Sequence, residues 1–549
     1  MFSFNLVNEK WIPCIMPDGK RVDNNLIDTL LQAKYIKEIF DNSPLITISL
    51  HRFLLAIVHR SYERGYGPID AKEWKALWEM GQFNNILLHQ YLEKWRAQFD
   101  LFDSKYPFYQ CASLPFSGNN SKGKTDSYEI QISSLIHESA AYLDKATLFD
   151  HTTESHTLSL SPLIAARKLL AFQSFALGKL LSKPRIKGEE SAKAAPLVKG
   201  AFCLVKGNNL FETLMLNLHV YNPEDEEPFH SGSKDKPDKP AWEQDEETKA
   251  EDREPNGYFD LITWQSRRIK LHPKLDENGQ VGVDTFVIRK GAQFPANYSL
   301  HGKEPMLAFH KVKKPAKGQS PWLPLTFLEN RVLWRDSLTL FQPLEKTRPK
   351  ILEWLSDLTE NNIIPLSATY DLNLIGLISD RAKILLWRHE RLPLPLKLIK
   401  DETLVARLEE ALELAEGISE ALNITSSDLA KLIIAPDAKR LNDNQKKEVE
   451  SLTISLSADR AYWANLGISF SSLIIRLADD KYNEGADTLI WWAAEIRRAG
   501  IEAFRDATNS LDRSGRWLKA VTLAKDDFER RLNTILKPYR DTEKKGGEA

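Results

Sequence analysis

The part of the chain after residue 400 differs from the rest in its proline content and in the spacing of its apolar residues. This difference limits the possible folds more than any other feature of the sequence. Of the 27 prolines, only Pro436 and Pro538 lie there. Proline breaks helix interiors because it lacks an amide donor and clashes with the preceding turn. Apolar residues instead recur every three or four positions, in the last pattern as Trp517, Val521, Ala524, Phe528 and Ile535. Four such patterns joined by short links predict an antiparallel four-helix bundle.

The region before residue 400 mixes helical and strand-like patterns. Residues 45–65 and 161–178 have helical spacing on an apolar face and end at glycine. Residues 201–220 read as a strand, a Gly-Asn-Asn turn and a second apolar element. The sequence therefore predicts the α+β class, with a mixed α/β domain over residues 1–398, a four-helix bundle over 399–540 and a disordered tail over 541–549.

Composition excludes several classes of protein. The net charge of -2 rules out a polycation, so any surface that binds nucleic acid is a local patch. The three cysteines form no C-x-x-C pair, which disfavours a disulfide framework and a cysteine zinc site. The N-terminus lacks the pattern of a signal peptide, and no apolar run is long enough for a membrane helix. We expect a cytoplasmic protein without a membrane partner.

The local charge reverses sign in the middle of the chain. Residues 221–260 carry 14 Asp or Glu against 5 Lys or Arg, which predicts a long exposed connection. Residues 263–320 carry 11 Lys or Arg against 4 Asp or Glu. The motif TWQSRR lies at this boundary. On a strand, Arg267 and Arg268 would point to opposite faces, so one could face internal partners and the other nucleic acid, or both could be structurally paired.

A search for catalytic chemistry finds little. Asp150, His151, Glu154 and His156 are the best metal candidates, but the H-E-x-x-H spacing of metalloproteases is absent and a polar loop is favoured. Phosphate-loop and nucleophile-elbow motifs are also absent, so no cofactor is expected. The pair Trp491-Trp492 favours core packing over base stacking. The basic residues around the last helix link are a solvated face or a stripe that binds a nucleic-acid backbone; they are Arg497, Arg498, Arg505, Arg513, Arg516 and Lys519.

Four stretches, taken in order, resemble the CasA family, the large subunit of the type I-E CRISPR Cascade surveillance complex. They are FNLVNEKWIPC at the N-terminus, TLFDHTTESHTLSLSPLIAARKLLAFQSFALG, KPAWEQ with GYFDLITWQSRRIKL, and RAYWANL. The resemblance spans most of the chain. It implies a noncatalytic protein that recognises double-stranded DNA at a protospacer-adjacent motif through the minor groove and helps to open it. Its implied partners are the other Cascade subunits, guide CRISPR RNA, target DNA and a recruited helicase–nuclease.

The resemblance also implies roles for particular residues. A lysine finger that enters the minor groove falls at Lys290, with Arg289 as the neighbouring alternative. A glycine loop that approaches the duplex falls at Gly178, where Lys179 replaces the further glycines of several relatives. A wedge hairpin that separates the strands has its tip at Ser379, Asp380 and Arg381, a stretch that could otherwise be an ordinary polar turn.

Two further regions acquire roles from the resemblance. A loop that docks the subunit near the guide matches Phe149, Asp150, His151 and Thr152. The arginines of the bundle at 497, 498, 505, 513 and 516 become candidates for contacts to displaced-strand phosphates. The cysteine-rich zinc loop of some relatives has no counterpart after the Trp-Gln motif, so no metal is predicted. Two alternatives remain: a metal-dependent nuclease that uses Asp150, His151 and His156, and a purely architectural subunit.

Overall fold

The protein is a mixed helix-and-strand chain with a helical C-terminal region, which confirms the predicted α+β class. This computed structural model describes residues 2–119, 124–136, 158–181, 188–225, 229, 237–329, 331–342, 347–380, 383–436, 438, 440–479, 481, 486–509, 511 and 514–540. The chain divides into two compact units. The mixed unit comprises Met1–Glu329, Leu344–Pro365 and Tyr370–Arg391, and the helical unit comprises Asn330–Pro343, Leu366–Thr369 and Leu392–Ala549.

The strands form small sheets rather than one large one. They are β1 (Ile12–Ile15), β2 (Arg21–Asn24), β3 (Glu38–Ile39), β4 (Ser117–Asn119), β5 (Thr125–Ser127), β6 (Ile130–Gln131), β7 (Lys179–Leu180), β8 (Ser191–Ala192), β9 (Phe202–Lys206), β10 (Arg267–Leu275), β11 (Val281–Lys290), β12 (Phe309–Lys311), β13 (Trp322–Pro324), β14 (Thr369–Asp380) and β15 (Lys383–Pro395). The sheet orders are β2-β1-β3, β10-β11-β6, β15-β14-β9, β4-β5, β7-β8 and β12-β13.

Helices fill the space between these sheets and form the whole C-terminal region. They are α1 (Leu26–Leu31), α2 (Pro44–Arg60), α3 (Ala71–Met80), α4 (Asn85–Lys94), α5 (Pro162–Phe175), α6 (Leu210–Asn217), α7 (Tyr258–Ile262), α8 (Leu338–Phe341), α9 (Lys350–Glu360), α10 (Leu396–Lys400), α11 (Glu402–Ile434), α12 (Asp443–Leu456), α13 (Ala458–Asn465), α14 (Gly467–Ala478), α15 (Ala486–Asn509), α16 (Gly515–Ile535) and α17 (Lys537–Arg540). Short 3-10 helices occur at Ala33–Tyr35, Arg96–Phe99, Ile132–Leu135, Pro196–Lys199, Ala241–Glu243 and Leu333–Asp336.

Helix α2 lies at the centre of the mixed unit. Phe53 on this helix packs edge-on against Trp11, Phe108 and Trp242, with ring centroids 5.4 to 5.8 Å apart. Edge-to-face aromatic pairs at this distance are favourable beyond the area they bury. The core therefore joins the N-terminal strand region to a segment more than 200 residues later, because Trp242 belongs to the short helix Ala241–Glu243.

Trp242 also shows that one expectation is wrong. The excess of acidic residues over 221–260 predicts an exposed connection, yet Trp242, Glu243 and Asp260 in this segment are buried. Glu243 accepts hydrogen bonds from the Tyr91 hydroxyl at 2.6 Å and from Arg60 Nε at 2.8 Å. Buried carboxylates need such partners, and partners this distant in sequence leave no local signal.

In the helical unit, α11 is the common partner of the other long helices. Its main-chain oxygen at Ala411 accepts from the Trp492 indole at 2.8 Å, and that at Ala415 accepts from the Tyr462 hydroxyl at 3.1 Å. The predicted core packing of the pair is confirmed for Trp492, whose ring is fully buried, whereas Trp491 is half-buried and lies 4.4 Å from the Arg476 guanidinium. The second of the four predicted helical patterns, residues 445–477, forms three helices, α12 to α14. It breaks at Ser457, whose φ of +50° is left-handed and ends α12.

Across the helices of the described part of the chain, none is both long and apolar enough to span a bilayer.

Candidate nucleic-acid interface

The β10–β11 hairpin positions the predicted lysine finger. Lys290 is the last residue of β11 and lies opposite Arg267 in the antiparallel register. The strand ends at Gly291, where a Cβ atom would lie 2.5 Å from the Gln265 oxygen and 2.7 Å from the Arg267 nitrogen. Glycine is therefore required for this close approach of two chain segments.

The Lys290 side chain is paired within the protein. Its Nζ atom lies 3.3 Å from Asp252 Oδ1, and the side chain is 18% exposed. The other oxygen of Asp252 accepts a hydrogen bond from Lys193 Nζ at 2.7 Å. This hydrogen bond, with a smaller contribution from Lys290, lowers the pKa of Asp252. One carboxylate is thus shared by two ammonium groups.

Gly178 lies beside the same group of residues. It precedes β7, which pairs with β8, and a Cβ atom on it would lie 3.4 Å from the Ala194 nitrogen and 3.7 Å from the Lys193 carbonyl carbon. The structure therefore brings together Gly178 and Lys290, which are more than 100 residues apart in the sequence. Lys193 and Asp252 connect them. The main chain of Lys179 is in β7, and its side chain is outside the described part.

Arg267 supports this arrangement from inside. Its side chain is 1% exposed, and its Nη2 atom donates to the main-chain oxygens of Leu177 at 2.8 Å and Lys193 at 2.7 Å. The Gln173 side chain donates to the Arg267 oxygen and accepts from the Arg267 nitrogen, at 2.8 and 3.0 Å. Arg267 thus holds both arms of the β7–β8 hairpin that carries Gly178. The geometry supports a structural role, and its contact with DNA stays a prediction.

Arg268 and Arg289 differ in their surroundings. Arg268 is partly exposed; its Nη2 atom lies 2.5 Å from Glu189 Oε2, and its Nε atom donates to the Lys290 oxygen at 2.9 Å. Arg289 is 2% exposed and donates to the Ile288 oxygen at 2.8 Å. Burial lowers the pKa of Arg289. Of the two adjacent arginines in the Trp-Gln motif, Arg267 therefore faces inward and Arg268 lies nearer the surface. DNA contacts by Arg268 and Arg289 stay predictions.

Charges of both signs surround Lys290. Three acidic residues, Glu189, Glu190 and Asp252, lie among the basic residues Lys193, Arg268, Arg289 and Lys290. Main-chain amides of residues 190 and 188 lower the pKa of Glu190, and Lys290 adds to this effect. A phosphate that approaches these cations must therefore compete with carboxylates of the protein itself.

The predicted wedge coincides with the turn of the β14–β15 hairpin. Ser379 is exposed and Asp380 ends β14, whereas Arg381 lies outside the described residues. Ile375 and Leu377 are buried behind this end of the hairpin, and Trp387 on β15 is 37% exposed. Buried side chains of β14 thus anchor the hairpin within a few residues of its turn, and the role of the tip stays a prediction.

The predicted arginine stripe of the helical unit is mostly paired with nearby groups. Arg498 lies 2.7 Å from Glu495 and 3.4 Å from Glu502, both on its own helix. The remaining contacts are Arg497 to Asn533 Oδ1 at 3.0 Å, Arg505 to Asp506 at 3.5 Å, and Arg516 to the Ile433 oxygen at 3.0 Å. Arg513 lies outside the described residues. Phosphate contacts by this stripe stay predictions.

Two predicted features fall outside the described part of the chain. One is the docking loop at Phe149, Asp150, His151 and Thr152, and the other is the alternative metal set, which adds Glu154 and His156. Elsewhere, the described residues hold no group of three His, Cys, Asp or Glu side chains suited to a metal ion. Burial raises the pKa of the thiols of Cys14 and Cys111 to about 12, which keeps them protonated at neutral pH.

Sequence reasoning missed Lys193, Asp252 and Gln293 as members of this site. Gln293 is buried; its Oε1 atom accepts from the Lys193 nitrogen at 2.6 Å and its Nε2 atom donates to the Ser266 oxygen at 3.0 Å. These residues lie in three segments that meet only in the folded chain. Their spacing in sequence therefore carried no signal of the site.

Comparison with known proteins gives consistent matches over the full fold. The family profile of CRISPR-associated protein Cse1 matches residues 5–503. The CRISPR-associated protein CasA/Cse1 of Thermus thermophilus is 31% identical over 539 residues, which cover 97% of this chain and 98% of the relative.

Solved structures show the same fold. The crystal structure of Thermus thermophilus CasA matches with a TM-score of 0.77 and 28% identity, over 97% of this chain and all of that one. A chain of a CRISPR RNA-guided surveillance complex matches with a TM-score of 0.69 and 19% identity, over 97% of this chain and 99% of that one. At this lower identity the likeness is one of fold alone.

Proposed function

The chain belongs to the CRISPR-associated protein Cse1 family, and on that premise we propose that it is the large, noncatalytic subunit of a type I-E CRISPR surveillance complex. In this role it recognises a protospacer-adjacent motif in double-stranded DNA through the minor groove. It then promotes strand opening so that guide RNA can pair with the target. The remaining subunits, guide RNA and a recruited helicase–nuclease are its partners.

The observation that carries the proposal is the meeting of Gly178 and Lys290 around Lys193 and Asp252. A site that reads a groove needs a donor that can reach base edges and a smooth main-chain surface beside it. Lys290 supplies an ammonium group at the end of a rigid strand, and Gly178 supplies main chain without a side chain. Because the minor groove presents a degenerate pattern, we expect a relaxed motif.

A substitution of Gly178 is a suitable test of whether the DNA duplex must approach the main chain closely at this position. Its own conformation does not require glycine, since a Cβ atom there would meet neighbours at 3.4 to 3.7 Å. Alanine should therefore fold with a small local adjustment. Its effect on DNA binding would report on steric contact with the duplex.

The other roles follow from family membership. We propose that the tip at Ser379, Asp380 and Arg381 separates the first base pairs, at a cost of a few kcal/mol per unstacked step that pairing with the guide offsets. The loop at residues 149–152 docks the subunit near the guide. The helical unit holds the displaced strand through phosphate contacts and presents a surface to the helicase–nuclease.

The experiment uses the chain assembled with its partner subunits and guide RNA. A library of target duplexes randomised at the flanking positions is bound, and the retained fraction is sequenced. We expect the wild type to enrich a short motif. Lys290→Ala should weaken this enrichment about fivefold or more, because it removes a base-edge contact worth about 1–3 kcal/mol. Arg381→Ala should mainly slow strand opening, measured by a fluorescent base beside the motif.

The alternatives give different outcomes. A purely architectural subunit would leave the library unselected, and Lys290→Ala would then have no effect on DNA binding. A metal-dependent nuclease would cleave DNA on addition of divalent metal, and His151→Ala would abolish this cleavage. Lys303→Ala is a matched control, since this lysine is in the same basic region and contacts the Tyr298 ring instead of Asp252.

A further inference from the structure

The position of Asp252 is fixed by main-chain pairing. The segment 251–253 runs parallel to the chain at Gln293: the Gln293 nitrogen donates to the Glu251 oxygen, and the Arg253 nitrogen donates to the Gln293 oxygen, both at 2.9 Å. Gln293 lies three residues after Lys290. Two main-chain hydrogen bonds therefore hold the Asp252 carboxylate beside the end of β11, independently of its ion pairs.

The next residue adds a second anchor. Arg253 binds Asp260 through two hydrogen bonds, at 2.6 and 3.0 Å, and its guanidinium lies 4.3 Å from the centre of the Trp264 ring. Asp260 and Trp264 are both buried. The carboxylate of Asp252 is thus preorganised, whereas the two lysines that it binds have flexible side chains.

We infer that Asp252 is a specificity-determining residue, an internal counter-anion that keeps Lys193 and Lys290 from binding DNA phosphates without regard to sequence. This inference rests on the proposed function. A free lysine gains affinity for any duplex by releasing counterions, which adds nonspecific binding. A lysine paired with a carboxylate gains affinity for DNA only where its contact with the DNA is more favourable than the ion pair that it loses. The base edges of a correct motif offer such a contact, and an isolated phosphate offers less.

The geometry supports competition rather than permanent closure. Asp252 and Lys193 are each about half exposed, so solvent and ligands reach their ion pair. Exposed ion pairs of this kind contribute little to folding stability. Lys290 is less exposed, at 18%, and its 3.3 Å separation from Asp252 is longer than the 2.7 Å of the Lys193 contact. The Asp252 carboxylate therefore weakens the binding of the two lysines to DNA without preventing it.

The test is Asp252→Asn, which preserves shape and removes the charge. In the assembled complex at about 0.1 M salt, we expect this variant to bind a duplex of random flanking sequence about tenfold more tightly, which is the gain from roughly one extra phosphate contact. The slope of log affinity against log salt should steepen by about one to two. Enrichment of the motif from the randomised library should fall.

Asp245→Asn is the matched control. Asp245 belongs to the same acidic stretch and pairs with Lys239 at 2.9 Å, so the substitution changes the net charge equally without touching Lys193 or Lys290. We expect its binding to stay near that of the wild type. A second test places Asp252→Asn in a Lys193→Gln, Lys290→Gln background, where the gain in affinity should vanish.

Three results would overturn the inference: an unchanged affinity in Asp252→Asn, an equal gain in Asp245→Asn, or a gain that persists without the two lysines. Thermal unfolding of each variant shows whether it folds. If Asp252→Asn does not fold, the variants Lys193→Gln and Lys290→Gln supply the comparison of nonspecific binding instead. Failure of the proposed function looks different, because the wild type itself would then select no motif.

Discussion

The two units of this protein differ in the most deeply buried ion pairs that they contain. The mixed unit buries ion pairs between residues far apart in the sequence, such as Arg52 with Glu304 at 2.6 Å and Arg60 with Glu243 at 2.5 Å. The helical unit places many of its pairs on the surface, three or four residues apart on one helix, such as Arg498 with Glu495. In the mixed unit such buried pairs therefore connect distant segments of the chain. In the helical unit many pairs connect neighbouring turns of one exposed helix face.

The difference follows from how each unit forms its core. In the helical unit, a period of 3.6 residues gives each helix an apolar face, and burial of these faces stabilises the bundle. Some of its polar contacts satisfy aromatic side chains that reach α11, as with the Trp492 indole at the Ala411 oxygen. The mixed unit consists of short strands and loops, whose turns must be fixed by side chains. Arg267, which donates to three main-chain oxygens, is one such side chain.

The largest expected effect tests buried against exposed pairs. Glu304→Ala leaves Arg52 buried without its carboxylate, and we expect a loss of about 3–5 kcal/mol in the free energy of unfolding. Arg498→Ala removes an exposed partner and should change it by less than about 0.5 kcal/mol. Urea unfolding of both variants gives the comparison. Similar losses in the two variants would show that the distinction between the units is wrong.

An intermediate effect concerns histidine. All 12 histidines precede residue 390, and none occurs in the helical region that follows. Burial lowers the pKa of His59 to about 4 and that of His51 to about 3, against 6.5 for an exposed histidine. The unfolded chain therefore takes up protons first, so stability is complete above pH 6.5 and is lost as the pH falls toward 4.

The corresponding experiment compares urea unfolding at pH 7.5 and 5.0. Each of these two histidines should contribute about 2 kcal/mol to the loss of stability over this interval. In His59→Gln the difference between the two pH values should shrink by that amount. His310→Gln, at an exposed position, is the control and should retain the wild-type pH dependence. An unchanged dependence in His59→Gln would exclude the buried histidine as its source.

A further prediction sharpens the comparison with two arginines that both donate to main-chain oxygens. Arg267→Met leaves several buried oxygens without a donor, and we expect a loss of about 2–3 kcal/mol. Arg516→Met removes an exposed contact to the Ile433 oxygen near the end of α11 and should cost about 0.3–1 kcal/mol. Thermal unfolding measures both. Equal shifts would mean that burial does not set the strength of these contacts.

Local pattern predicted the long helices of the C-terminal region well but not their interruptions or interior faces. The break at Ser457 depends on one left-handed residue, which periodicity cannot detect. In α16 the buried stripe is Ala520, Ala524, Phe528 and Leu532, shifted from the predicted one, which included Trp517 and Val521. A wide apolar face allows several choices of interior residue, and the partner helix selects among them.

The predicted interface shows the same difference between what the sequence indicated and what depended on the folded chain. The resemblance indicated Lys290 and Gly178. The sequence did not indicate that Lys193 and Asp252 would lie between them. It also left open which of Arg267 and Arg268 faces inward.

By itself, the sequence determined the α+β class, the helical C-terminal region and the family, because these depend on local periodicity and on the order of short motifs. Only the tertiary structure decided which charges are buried and which carboxylate is placed beside which lysine. An ion pair depends on distances of a few ångströms between segments that can be tens or hundreds of residues apart. Such distances exist only once the chain has folded.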